Sequence, residues 1–445
     1  MTVTEVFEPA VPRDPGRRRR PTRRQLIRRR LIVFSAAAMV IGLGIYLPVT
    51  LLAPLGATAG ELVQFTDAAR GAATPTLPDY GASAVRVIGY PEASASAGST
   101  APLPIASISK IITTLVVLEA KPLSPGDSGP TITFTAADAS LRATYVAQNG
   151  ETKPLTAGST ISQLDLMRVT LVASANNYAD ALANWAFGAG AGFDIAVSAW
   201  LGAHGLNHTT IVEPTGINPN NRSTVADLLE IGTLALANPV IAQIVSIRSM
   251  ALDGVGTFGN TNTLLGSAGV EGIKTGTLNG SSNLLFAARY SYGSHRVTVV
   301  GVVVGATDHR AVDAAVSTLL AGVQAGFHEV ILAKKGQTFA YFTTAWSQKV
   351  RAISTKTASV LLWSNTPVTA VTSALSLRVG QGTGSVGTGS IGTGSIGTGS
   401  IGTGSVGTVT FTAGTRTVRL ALALDHPLVD PGPWWRLSNP ALLFK

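Results

Sequence analysis

The chain has 445 residues, 45% of them hydrophobic, enough for two folded units with separate cores. It contains no cysteine, which excludes disulfides, thiolate metal sites and thiol nucleophiles. The net charge is +9, but ten arginines against three acids in residues 1–30 account for +7 of it, so the basic charge belongs to a short tail and not to a folded nucleic-acid-binding face.

After the tail (residues 1–30), residues 31–53 form an uncharged apolar run. As a helix it spans about 35 Å, enough for a bilayer core of about 30 Å. Arginines on one flank predict a cytoplasmic N-terminus and an extracytoplasmic remainder. The alternative is a cleaved signal peptide, with Ala57-Thr58-Ala59 as the small-residue site; the length of the apolar and basic regions favours an anchor. Residues 54–80 mix Pro, Gly, Thr and Ala and read as a linker.

Residues 83–90 alternate as a first strand. Helical periodicity follows over 107–120, 162–171, 178–187 and 224–236, with Ser223 or Thr224 as N-cap of the last. Residues 269–277, 283–290 and 296–304 read as strands, and 311–323 as a helix. That order predicts an α+β domain over 81–328, an antiparallel sheet with helices packed on it. Short alternating segments at 337–343, 350–354, 358–363, 409–411 and 417–424 predict a β-rich domain over 329–445. Inside it a V/I-G-T-G-S repeat runs over 386–405, within a Gly/Ser/Thr-rich stretch at 382–408. With one apolar side chain per unit it predicts a flexible surface loop. His204 and His208 have a ligand-like spacing, but Gly205 and Asn207 argue against a helix there, so no metal or other cofactor is expected.

Three short motifs carry chemistry. In Ser107-Ile108-Ser109-Lys110, a serine and a lysine three apart share one helix face, and a desolvated lysine amine can take the serine proton. At the helix start, backbone N–H groups favour a developing oxyanion. In Ser174-Ala175-Asn176, at a break between helices, a hydroxyl can relay a proton and an amide can hold a substrate backbone and the lysine. In Lys274-Thr275-Gly276-Thr277, a lysine beside two hydroxyls suits a carboxylate, and Gly276 leaves room for a substrate along the strand. Each motif alone has an ordinary structural explanation; the ordered set is the pattern of penicillin-binding proteins and class A β-lactamases.

The stretches PIASISKIITTLVVLEA, TLVASANNYADALA, EPTGINPNNRSTVADLLEIG and GVEGIKTGTLNGSSNLLFAAR resemble the serine D-alanyl-D-alanine carboxypeptidase family, the low-molecular-weight penicillin-binding proteins, over roughly residues 80–328. The resemblance implies a penicillin-binding/serine β-lactamase-like fold followed by the β-rich domain. It implies removal of the terminal D-Ala from peptidoglycan stem peptides ending in D-Ala-D-Ala, and covalent inhibition by β-lactam antibiotics. It implies Ser107 as acylated nucleophile and Lys110 as its base, with Ser174 and Asn176 assisting. Lys274, Thr275 and Thr277 would hold the terminal carboxylate, with Arg310 near it, and the N–H groups of Ser107 and Thr277 would form the oxyanion hole. Two rivals are a β-lactamase and a catalytically silent wall-binding protein. For the first, Glu213 and Asn218 are one residue too far apart for the E-x-x-L-N pattern; for the second, the intact motif side chains have no use.

Overall fold

A single apolar helix opens the described chain. The computed structural model describes residues 22–68, 70–374, 376–379, 395–396 and 405–443. Helix α1 (Arg23–Leu52) carries five arginines in its first eight residues and is then long and apolar enough to cross a membrane. The segment beyond it, expected as a linker, is stitched to the rest of the chain. Thr58 and Leu377 exchange backbone hydrogen bonds of 2.8 and 3.0 Å. Strand β1 (Glu61–Leu62) joins the edge of a sheet, and the Asp67 carboxylate accepts the Val368 N–H at 2.9 Å.

The next unit contains strands β2 (Ala82–Val87) and β3 (Ala95–Gly98), then helices α2 (Ser109–Ala120), α3 (Ala136–Ala147), α4 (Gln163–Val172), α5 (Asn176–Phe187), α6 (Gly192–Ala203), α7 (Val225–Ala237) and α8 (Pro239–Val245). Strands β4 (Val270–Leu278), β5 (Ser281–Tyr292) and β6 (His295–Ala306) and helix α9 (His309–Ala325) complete it. The sheet runs β4-β5-β6-β2-β3, antiparallel throughout. Strand periodicity divides its side chains between two cores. Leu285, Ala287, Val300 and Val302 face the helical layer of α2, α4, α5 and α7; Leu284, Phe286, Val299 and Val303 face Val312, Val316, Leu319 and Leu320 of α9. Each such side chain, fully buried, contributes about 1.5–3 kcal/mol. Helix starts follow local chemistry: the Ser162 and Thr224 hydroxyls accept the N–H groups of Asp165 and Asp227.

The last unit comprises β7 (Phe327–Ala333), β8 (Thr338–Thr343), β9 (Lys349–Ser354), β10 (Ala358–Trp363), β11 (Val368–Ala374), β12 (Ser405–Ala413), β13 (Arg416–Leu424) and helices α10 (Gly432–Ser438) and α11 (Pro440–Leu443). Six strands form one sheet in the order β1-β8-β9-β13-β12-β11, while β7 pairs with β10. Phe339, Phe342, Phe411 and Leu422 lie at its core, joined by Ala53 and Leu55 from the end of α1. The two units also share a core. Phe327, Leu361 and Trp363 pack with α9, and the Trp363 indole N–H donates to the Val323 carbonyl at 3.0 Å. Arg416 lies over the Tyr90 ring, 3.5 Å from its centroid, and donates to the Gly89 carbonyl. Strand β7 straddles position 328, where the expected division between the two domains falls. The greater part of the pentapeptide repeat lies outside the described residues.

Candidate active site

Ser107 sits in a 3-10 turn, Ala106–Ile108, that feeds directly into α2. Ile105, Ile108, Ile111 and Ile112 are fully buried and fix the turn against the helical layer. Lys110, one turn on, has no exposed surface, and its Nζ lies 2.9 Å from Ser107 Oγ, 2.5 Å from Asn176 Oδ1 and 2.7 Å from the Thr215 carbonyl. Burial, and then the nearby Lys274 charge, holds its pKa well below the ordinary lysine value. Ser109 is turned away: its hydroxyl donates to the Ala106 carbonyl at 2.8 Å and accepts from Asn221 at 3.0 Å.

The second motif bridges α4 and α5. Ser174 adopts a left-handed φ of 56°, a conformation uncommon for a side-chain-bearing residue. That turn aims the chain so that Asn176, the first residue of α5, meets Lys110. The Asn176 N–H donates to the Glu151 carbonyl at 2.7 Å, and the Asn177 amide bonds both backbone groups of Lys153. The motif thereby also holds the 150–153 stretch in place.

The third motif lies on edge strand β4. Lys274 is 1% exposed, and burial lowers its pKa to about 7, partly offset by Glu151. The Thr275 and Thr261 hydroxyls are 2.5 Å apart. A Cβ on Gly276 would sit 2.7 Å from the Ile105 carbonyl oxygen and 3.4 Å from the Ser107 nitrogen, so only glycine lets the strand approach the Ser107 turn this closely. Gly216, at φ +85°, closes on the same turn from the other side, where a Cβ would meet the Ala106 carbonyl oxygen at 1.9 Å.

The three motifs converge on one cavity of about 440 Å³. Ser107, Ser174, Asn176, Thr275, Gly276 and Thr277 line it; Lys110 and Lys274 are buried behind its wall. Arg310 is exposed and outside the lining. Its neighbour His309 stands on the wall, Nε2 2.6 Å from Thr277 Oγ1. The cause is local: Asp308 caps α9 by accepting the Ala311 N–H, which directs the first helical residue to the cavity. Sequence reasoning missed His309, Thr261, Glu151 and Thr215. For His309 the Asp-His-Arg run at a helix start was the available signal; for Thr261 and Glu151, distant in sequence from every motif, there was none. Glu213, weighed as a water-activating group, has its carboxylate occupied by the N–H groups of Thr215, Gly216 and Asn218 and by the Asn221 amide. It shapes the loop that presents the Thr215 carbonyl to Lys110. A buried amine against a half-buried serine hydroxyl, beside a hydroxyl-lined wall backed by Lys274, can activate an oxygen nucleophile against an acyl group that carries a carboxylate.

Residues 95–308 match the family model described as D-alanyl-D-alanine carboxypeptidase. The D-alanyl-D-alanine endopeptidases of Escherichia coli and Pseudomonas aeruginosa are each 32% identical, over 194 and 141 residues, or 41% and 32% of this chain. The chain spans 58% and 42% of the lengths of those relatives. Penicillin binding protein 5 from Haemophilus influenzae, at 17% identity, and a peptidoglycan synthesis regulatory factor from Streptococcus pneumoniae, at 20%, share the fold. Each is covered over its whole length by 82% of this chain with a TM-score of 0.52. Motif order, site geometry and the family match point the same way: over residues 95–308 this chain is similar to the D-alanyl-D-alanine carboxypeptidase family.

Proposed function

We propose that the chain is a membrane-anchored, extracytoplasmic serine peptidase that removes the terminal D-Ala from peptidoglycan stem peptides ending in D-Ala-D-Ala, through an acyl-enzyme on Ser107. The observation that carries this reading is the triple contact of buried Lys110. Asn176 Oδ1 and the Thr215 carbonyl can only accept, so they take two N–H groups of the amine; a neutral Nζ then turns its lone pair to the Ser107 hydroxyl. The Ser107 proton passes to Nζ as Oγ attacks the carbonyl carbon of the penultimate D-Ala. The N–H groups of Ser107 and Thr277 stabilise the oxyanion. Collapse breaks the peptide bond, and the leaving amine takes a proton relayed from Lys110 through Ser174. Water then hydrolyses the ester. Lys274, Thr275, Thr277 and His309 hold the terminal carboxylate, with Arg310 adding positive potential from outside the cavity. β-Lactams acylate the same oxygen. The one-sided arginines of α1 support a catalytic unit outside the cytoplasm.

A second reading follows from the two curated relatives, which are named endopeptidases. The same acylation would then cleave a cross-link between stem peptides, the leaving amine belonging to a neighbouring strand. Supplying an uncross-linked pentapeptide and a cross-linked dimer side by side separates the two by which is consumed. A wall-binding protein without catalysis would consume neither. Ser107→Ala should abolish turnover of both and the mass increment left by benzylpenicillin. A penicillin adduct mapped to Ser109 or Ser174, or D-Ala release by the variant, would overturn the assignment.

A further inference from the structure

A second, smaller cavity of about 240 Å³ opens where strand β4 ends, and it shares Leu278 and Asn279 as walls with the Ser107 cavity. Carbon makes up most of its lining, from Leu103, Pro104, Pro219, Leu278 and Val304. None of the described residues lining it is charged. Asn283, 1% exposed, turns its amide to the walls: Nδ2 donates to the Pro104 carbonyl at 3.1 Å and Oδ1 accepts the Gly305 N–H at 2.9 Å. That clamp ties the 103–104 segment to the end of β6, and Leu103 and Pro104 also pair with Ser223 and Arg222, so the hollow is set before anything enters it. On the peptidase reading proposed above, the terminal carboxylate would lie against Lys274 and Thr275 and the scissile carbonyl at the N–H groups of Ser107 and Thr277. The substrate backbone then runs antiparallel to β4. At about 3.3 Å per residue, the residue that precedes the D-Ala pair falls abreast of Leu278 and Asn279. There β4 turns away: Asn279 and Gly280 take left-handed φ of 52° and 77°, and Leu278 pairs with Ser281 across the turn. Beyond that point the hollow, and no longer the strand, faces the substrate.

We propose that this hollow is the subsite for the side chain preceding the D-Ala pair, and that it selects an unbranched aliphatic chain there over a charged one. The proposal rests on the peptidase reading. Each methylene group that enters leaves water for carbon walls. A charged end loses its hydration and finds no partner, because the buried amide is already bonded on both sides. The test supplies the full chain, in detergent micelles, with acetyl-L-Xaa-D-Ala-D-Ala peptides in which Xaa is norleucine, alanine or glutamate, and reads D-Ala release as kcat/KM. Norleucine should exceed alanine by about 10-fold or more, and glutamate should fall below alanine. Leu103→Ala deepens the hollow and should move the optimum to a side chain two methylenes longer. Ser281→Phe fills it and should bring the norleucine-to-alanine ratio towards one, whereas a loss of folded protein alone would lower all three peptides together. If Ser281→Phe does not fold, the wild-type and Leu103→Ala series decide. Equal turnover of the three peptides by wild type, or an optimum that stays in place in Leu103→Ala, overturns the subsite and leaves the peptidase intact. No D-Ala release from any of them refutes the peptidase, and the subsite with it.

Discussion

In Lys274, burial sets charge against stability in a single side chain. Its pKa of about 7 in the folded protein, against ~10.4 in an unfolded chain, means that folding opposes its charge. The unfolded state binds more protons between those two values, so stability rises with pH across that window, and the penalty is fully present below about 7, on the order of 5 kcal/mol at 1.36 kcal/mol per pH unit. Lys274→Met keeps the length and removes the charge. Thermal unfolding of the variant should occur at higher temperature than wild type at pH 6, with the gap closing as pH is raised towards 10, while peptide turnover is lost. A variant less stable at every pH would show that the lysine is stabilised by its neighbours. Gly276→Ala tests proximity. Its Cβ must push β4 away from the Ser107 turn, and a displacement near 1 Å commonly costs about 10²-fold in rate. kcat/KM should fall by that order with the melting temperature little changed.

At the scale of elements, the motif-bearing segments were the most legible part of the sequence. Their helices and strands lie within two residues of the expected bounds, because capping serines and threonines and period-two runs of Val, Leu and Phe are local signals. Helices α3 and α6 escaped, since alanine- and glycine-rich segments such as Gly192–Ala203 carry little polar contrast, and α8, seven residues long, is too short for a clear helical period. Strands β7 and β11 escaped for another reason: each is defined by a partner remote in sequence. The convergence of the motifs was legible as an ordered pattern, yet the part played by Thr215 was not, because a backbone carbonyl leaves no mark in side-chain chemistry. The repeat belongs at this scale too. It lies in the connection between β11 and β12, whose ends are already fixed in register by pairs such as Ala374 with Gly407. Shortening such a connection changes closure entropy only slowly with length. Removing residues 382–404 should shift the melting temperature by a degree or two and leave turnover intact; a large loss of either would show that the repeat packs or binds.

Across the whole molecule, the shared core around Phe327, Leu361 and Trp363 joins the catalytic and β units, and we expect the two to unfold together. Trp363→Ala removes a buried indole and its bond to Val323, a change that typically costs about 3–5 kcal/mol. Calorimetry should show one transition in wild type and, in the variant, a lower or split one in which both units are affected; an unchanged catalytic-unit transition would mean the units melt independently. The same continuity extends down to α1. Only eight residues separate Leu52 from the first strand of the sheet, and they are pinned by Arg436 at Ala53 and by Leu377 at Thr58. Under the anchored reading proposed here, so short a mounting would carry the Ser107 cavity at one height above the bilayer. The proposed peptidase would then sample wall strands only by drifting in the plane of the membrane, and material laid down beyond that height would stay out of its reach.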